Sequence, residues 1–228
     1  ITAVSVAVAP IATEAKTTQI AISPVAVTPE QERWVFRLPQ GFAVMAHPII
    51  EHMKKNGVKT VGFLGYTDAY GESWLNDFKA QSQQLGGPQV IAVERFARAD
   101  TSVTAQALKL VAANPDAMLV VASGSGAAMP HKGIVERGYK GKIYQTHAAA
   151  SRDLVRVGGK DVEGAFVSSG PAVIPEQLPA NHPSRALAAD FVAKYEKAYG
   201  AGNRNQFAGH AYDAVLVLEK VVPVALKK

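Results

Sequence analysis

The sequence predicts an α/β protein with parallel β-sheet, and three observations carry that expectation. Short apolar runs recur at 19–22, 58–64, 90–93, 117–122, 143–146 and 165–168, with helical patterns between most of them, which is the alternation of βαβ units. Of the 228 residues, 48% are hydrophobic and 19% charged, outside the low-hydrophobicity range of disordered chains. The run Val61-Gly62-Phe63-Leu64-Gly65 passes directly into the polar, aromatic turn Tyr66-Thr67-Asp68-Ala69-Tyr70-Gly71, the kind of corner at which open parallel sheets collect ligands and free helix amides.

Taken in order, the run 19–22 reads as a strand, and Leu38-Pro39-Gln40-Gly41 through Pro48 reads as a crossover ahead of a helix. The strand 58–64 opens the aromatic corner. In the helix that follows, Trp74, Leu75, Phe78 and Leu85 share a face that packs on the sheet. After the strand 90–93 a helix begins near Asp100-Thr101-Ser102, with Asp100 or Thr101 as its N-cap and Val103, Ala107, Leu110 and Val111 on one side.

The strand 117–122 leads into Ser123-Gly124-Ser125-Gly126 and then toward a helix, and the strand 143–146 into the small-residue turn His147-Ala148-Ala149-Ala150. Ser169-Gly170-Pro171 through Pro175, Pro179 and Pro183 is punctuated by proline without period, as a segment crossing between lobes would be. A helix from about Ser184 to Tyr199 carries Leu187, Phe191 and Tyr195 on one face and closes at Gly200. Tyr212 and Asp213 anchor the start of an apolar helix over 215–222, while Phe207 ahead of it is open to packing or to ligand contact.

Several function classes fall away. The net charge is +5, but lysines and arginines are scattered and interrupted by acids, with no basic stripe or recognition module, so nucleic acid is not expected as a partner. No apolar run reaches the ~20 residues of a membrane span. The chain has no cysteine, which removes disulfides, thiolate catalysis and cysteine-ligated zinc. The six histidines form no metal-binding spacing. Neither a metal nor a cofactor is expected.

Ser123-Gly124-Ser125-Gly126 lacks the third glycine and the following acid of a dinucleotide fingerprint, which leaves a small-ligand contact as the better reading. Gly124-Ser125-Gly126 lacks the outer frame of a nucleophile elbow, so no catalytic residue is assigned. His147 stands at a strand end, where it either donates to a carboxylate or is a turn histidine with an internal hydrogen bond. The chain starts at Ile1 and ends at Lys227-Lys228, which we read as a piece of something longer.

Several segments together resemble the leucine/isoleucine/valine-binding family of periplasmic solute-binding proteins. They are Ala7-Val8-Ala9-Pro10-Ile11-Ala12 followed by Gln19-Ile20-Ala21-Ile22-Ser23-Pro24, the turn 66–74, Gly138-Tyr139-Lys140-Gly141, the stretch 157–164, and His210-Ala211-Tyr212-Asp213-Ala214. The resemblance covers essentially the whole chain. It implies two Rossmann-like lobes with parallel sheets, the type I periplasmic-binding-protein fold, closing on a small solute for an ABC permease and its ATPase. Residues 1–43 and 173–228 would form an incomplete lobe one, and 44–172 lobe two.

The same resemblance implies a site at Thr2 and Ser5 in a hydroxyl-rich turn, Val25 and Ala26 after Ser-Pro, Tyr70, Ser123 with Gly124, and His147 with Ala148. Phe207 is counted with them. The acid that pairs with a substrate ammonium in amino-acid-binding members falls at or beside His147. A buried ammonium without a carboxylate is costly, so the expected ligand is a small organic acid, an aromatic carboxylate or a keto acid. Branched-chain amino acid binding in the same fold, a cytosolic ligand-sensing regulator and an α/β enzyme acting on a small acid stand as alternatives. The expected place of work is the periplasm.

Overall fold

The structure, a computed structural model, describes residues 2–227. The elements run α1 (Thr2–Glu14), β1 (Gln19–Ala21), β2 (Val35–Arg37), α2 (Phe42–Lys55), β3 (Thr60–Tyr66), α3 (Ala69–Gln84), β4 (Gln89–Phe96) and α4 (Thr104–Ala112). They continue with β5 (Ala117–Val121), α5 (Ala128–Val135), β6 (Lys142–Gln145), α6 (Arg152–Gly158), β7 (Phe166–Val167), α7 (Arg185–Tyr199) and α8 (Gln206–Ala225). The chain divides into two compact units, Ile1–Gly41 with Pro171–Lys228 as unit 1, and Phe42–Gly170 as unit 2.

Unit 2 holds a five-stranded, all-parallel sheet in the order β4-β3-β5-β6-β7. β5 is buried at every position, as a central parallel strand covered on both faces must be, and its unbroken Ala-Met-Leu-Val-Val run is the sequence of such a strand. The N-terminal ends of β3 and β5 are tied by Asp116, whose carboxylate accepts from the Lys59 amide (2.8 Å), the Thr60 amide (2.9 Å) and the Thr60 hydroxyl (3.1 Å). Those hydrogen bonds favour its charged form and hold it below the usual carboxylate range. Trp74, Leu75 and Phe78 of α3 are buried, the apolar face its spacing predicted.

The chain steps from β3 to β4 on one side and then returns to lay β5, β6 and β7 on the other. This reversal sends the connections that leave the carboxyl ends of β3 and β5 in opposite directions, the topological switch point at which ligands enter such sheets.

Unit 1 has a two-stranded parallel pair, β1 with β2. Ala9, Ala21, Val25 and Val35 form its small buried cluster. α7 buries Ala188, Phe191 and Val192, and the ring of Phe191 lies 5.5 Å from Tyr195 and 5.3 Å from Tyr212.

Several local expectations are corrected. The segment Thr2 to Ser5 is the first turns of α1, not a turn joining elements; alanine-rich sequence favours helix even with valines interspersed. Pro48 lies inside α2 rather than in a crossover before it. The buried stripe Phe42, Met45, Ala46, Ile49, Ile50 and Met53 carries the helix through, since each large buried side chain contributes ~1.5–3 kcal/mol against ~3 kcal/mol for an interior proline. β2 was not anticipated, because a three-residue strand has too little alternation to read.

α4 begins at Thr104 without a side-chain cap at Val103. Asp100 is drawn away from capping, its carboxylate accepting from the Ala97 amide at 2.7 Å. On α7 the inward face is rotated by one residue, which leaves Leu187 46% exposed. α8 starts at Gln206, capped by Asn205, which accepts from the Ala208 amide at 3.0 Å. Tyr212 and Asp213 therefore lie inside the helix; the Tyr212 hydroxyl donates to Asp190 at 3.0 Å.

Candidate functional site

The carboxyl end of the unit 2 sheet gathers most of the candidate side chains. Asp68 caps α3, accepting from the Tyr70 amide at 3.0 Å and the Gly71 amide at 3.3 Å. The turn is tight: a Cβ at Gly71 would sit 1.8 Å from the Tyr66 carbonyl oxygen, so only glycine fits there. Tyr70, the residue before it, is buried.

The Tyr70 hydroxyl meets the Thr146 hydroxyl at 2.7 Å, just past the end of β6. Burial pushes the Tyr70 phenol well above its ordinary range, so it acts as a neutral hydroxyl, able to donate or accept. His147 is also buried, its ring 6.1 Å from Tyr70 edge-on and 6.1 Å from Trp74 in a stacked arrangement. Phe42 closes the group with edge contacts to Tyr70 (5.9 Å) and Trp74 (5.7 Å). Ala148 is buried in the turn after His147. The result is an apolar, aromatic wall carrying a hydroxyl pair and an imidazole.

At the switch point Ser123 and Gly124 are half-buried. The Ser123 amide donates to the Tyr66 hydroxyl at 3.4 Å. Arg98, two residues beyond β4, spans this corner. Its Nε donates to Asp68 Oδ2 at 2.6 Å, its Nη1 donates to Ser123 Oγ at 3.3 Å, and its guanidinium carbon lies 4.0 Å from the centre of the Tyr66 ring. Deeper in, the fully buried Gln145 reaches the Ala127 carbonyl at 3.3 Å and His131 Nδ1 at 3.1 Å, fastening β6 to α5. Burial moves the His131 pKa downward.

Sequence reasoning missed Phe42, Arg98 and Thr146. Thr146 and Arg98 stood within two residues of strand ends, the one signal that points to them.

In unit 1, Thr2 and Ser5 are buried on α1, with the Ser5 and Ser23 hydroxyls 2.9 Å apart and Gln19 Nε2 donating to the Ser5 carbonyl at 3.1 Å. Val25 belongs to the buried cluster with Ala9, Ala21 and Val35, and Ala26 follows it in an exposed loop position. Phe207 is half-buried in the first turn of α8. Among the described residues, no group of three or more histidine, aspartate or glutamate side chains is placed to hold a metal ion. Nor is any helix among them long and apolar enough to cross a membrane.

A parallel α/β unit with a buried, hydroxyl-bearing wall beyond the carboxyl ends of its strands has the layout of small-molecule binding folds. Residues 1–225 match the periplasmic binding protein family, and the chain belongs to that family, one of binding proteins and not of enzymes. No curated protein sequence matches the chain. Among solved structures, an extracellular ligand-binding receptor from Rhodopseudomonas palustris is 52% identical with a TM-score of 0.94, over 98% of this chain and 62% of that one.

A leucine-binding protein, LivK, from Thermotoga maritima is 25% identical with a TM-score of 0.80, over 97% of this chain and 61% of that one. A solute-binding protein of an ABC transporter from Rhodopseudomonas palustris BisB5, solved with 3,4-dihydroxybenzoic acid, is 25% identical with a TM-score of 0.72, over 94% and 57%. The chain thus spans about 62% of the length of its 52%-identical relative. The fold is the α/β, parallel-sheet fold of type I periplasmic binding proteins.

Proposed function

We propose that this chain is part of the extracytoplasmic, periplasmic solute-binding component of an ABC importer, and that its solute is a small organic acid, an aromatic carboxylate by preference. The observation that carries this reading is the buried Tyr70–Thr146 hydroxyl pair at 2.7 Å with His147 beside it. Hydroxyl and imidazole N–H groups are donors suited to a carboxylate, and the surrounding Phe42 and Trp74 rings suit a flat apolar body.

An amino acid brings an ammonium that needs an anionic partner once desolvated. The carboxylate at this corner, Asp68, is already engaged by Arg98 and the first amides of α3. The relative solved with 3,4-dihydroxybenzoic acid supports the reading. In it, Tyr70, Ser123, Gly124, His147 and Ala148 of unit 2 hold the acid. The partners are an ABC permease and its ATPase.

A second reading, leucine or valine as solute, is favoured by the leucine-binding relative. Isothermal calorimetry on the full chain separates the two. Binding heat for benzoate-type or keto acids and none for leucine is expected, with Tyr70→Phe weakening the acid about tenfold through loss of one buried hydrogen bond. Tight leucine binding with no response to acids overturns the organic-acid reading.

A further inference from the structure

Arg98 stands at the switch point between β3 and β5, and its geometry is more specific than its charge. Arg98 is held on three sides: by Asp68 at 2.6 Å, by Ser123 at 3.3 Å and by the face of Tyr66 at 4.0 Å. These contacts fix the guanidinium plane while leaving the side chain 44% exposed. Nε and one N–H of Nη1 are committed, and the Nη2 amino group has no hydrogen-bond partner among the described residues. A rigid planar donor with a spare edge, open to solvent at a ligand-binding corner, is a recognition element.

What it recognises follows from its neighbours. Asp68 neutralises the guanidinium, and the adjoining Glu72–Arg95 ion pair is likewise balanced. A second carboxylate arriving at Nη2 would gain a donor but approach the Asp68 charge. A hydroxyl meets no such repulsion, and it can accept from Nη2 while its own proton goes to an oxygen of Asp68 or Ser123. The corner is therefore a donor and an acceptor side by side, which suits a neutral hydroxyl better than an anion.

We propose that Arg98 is a specificity-determining residue, its spare N–H edge selecting organic acids that carry a hydroxyl group remote from the carboxylate. The inference rests on the organic-acid reading above and names a subclass of that ligand. Its test is calorimetry of the full chain with benzoate, 3-hydroxybenzoate, 4-hydroxybenzoate and terephthalate, on wild type, Arg98→Met and Arg98→Lys, with thermal melts alongside.

Wild type should bind the better hydroxybenzoate about tenfold tighter than benzoate, and Arg98→Met should bring that ratio to about one. Arg98→Lys keeps the charge without the planar fork, should lose most of the preference too, and decides the matter if Arg98→Met does not fold. Equal weakening of both acids would mean that Arg98 only braces the turns, and overturns the inference. An unchanged ratio, or terephthalate as the tightest ligand, overturns it as well. In each of those cases the organic-acid reading stands. If no acid binds wild type, that reading falls and takes this inference with it.

Discussion

The two units differ in how far they bury their own apolar surface. In unit 2, α2, α3 and α4 turn continuous apolar stripes onto a five-stranded sheet, and Phe63, Leu64, Trp74, Phe78, Leu110, Met118 and Leu119 are all essentially inaccessible. In unit 1 a two-stranded sheet is paired with helices whose aliphatic side chains face outward: Val4 is 66% exposed on α1, and Val215, Leu218 and Val222 are 51%, 42% and 43% exposed on α8. An amphipathic helix stabilises a fold only through the face it buries. The side chains at the carboxyl ends of the unit 2 strands thus stand on a tightly packed scaffold, the kind that preorganisation requires.

The comparison is most easily broken at glycines. Gly71→Ala should be the largest effect, more than about 4 kcal/mol, because its Cβ would overlap the Tyr66 backbone 1.8 Å away and backbone cannot yield cheaply. Gly209→Ala in unit 1 meets the Ala172 Cβ at 2.9 Å, which moves only with its backbone, and should cost less, about 1–3 kcal/mol. Denaturant midpoints read from Trp74 fluorescence in unit 2 and Trp34 fluorescence in unit 1, each with the other tryptophan replaced by phenylalanine, check both; equal costs would erase the contrast.

A smaller effect separates the cores. Phe78→Ala empties a fully buried position and should cost about 3–5 kcal/mol, while Leu218→Ala on the exposed face of α8 should stay within about 0.5 kcal/mol. A large loss at Leu218 would show that α8 is covered in solution and would remove the contrast on that side.

The smallest effect concerns pH. The Asp116 pKa is depressed on folding by its amide and hydroxyl donors. The unfolded state therefore takes up its proton first, and the stability it supplies is fully present above the unfolded value of about 3.9 and is lost as pH falls through the folded one. Asp116→Asn should melt lower than wild type near neutral pH, with the gap closing in acid. A gap that stays constant to below about pH 3 would exclude this carboxylate as its source.

Much of unit 2 was legible before its structure because its strands are continuous apolar runs and its first corner announces itself. Val61 to Gly65 with Tyr70 four residues beyond Tyr66 needed only the rule that ligands gather at strand ends. Arg98 was not legible. Its neighbours Asp68, Tyr66 and Ser123 lie 30, 32 and 25 residues away by the numbering, and nothing local tells an arginine anchored by distant residues from a solvated one. Thr146 was read as the end of a strand, and its bond to Tyr70 depends on β6 and β3 being placed in one sheet.

The polar/apolar order of the residues alone determined the alternation of elements, the buried faces of α3 and α4, and the aromatic corner, because these depend on periods of two and 3.6 that neighbours along the chain express. Tertiary structure alone decided the strand order that creates the switch point, the retention of Pro48 inside α2, and the meeting of Arg98 with Asp68, Tyr66 and Ser123. Those follow from burial summed over distant segments, a quantity that no local window contains.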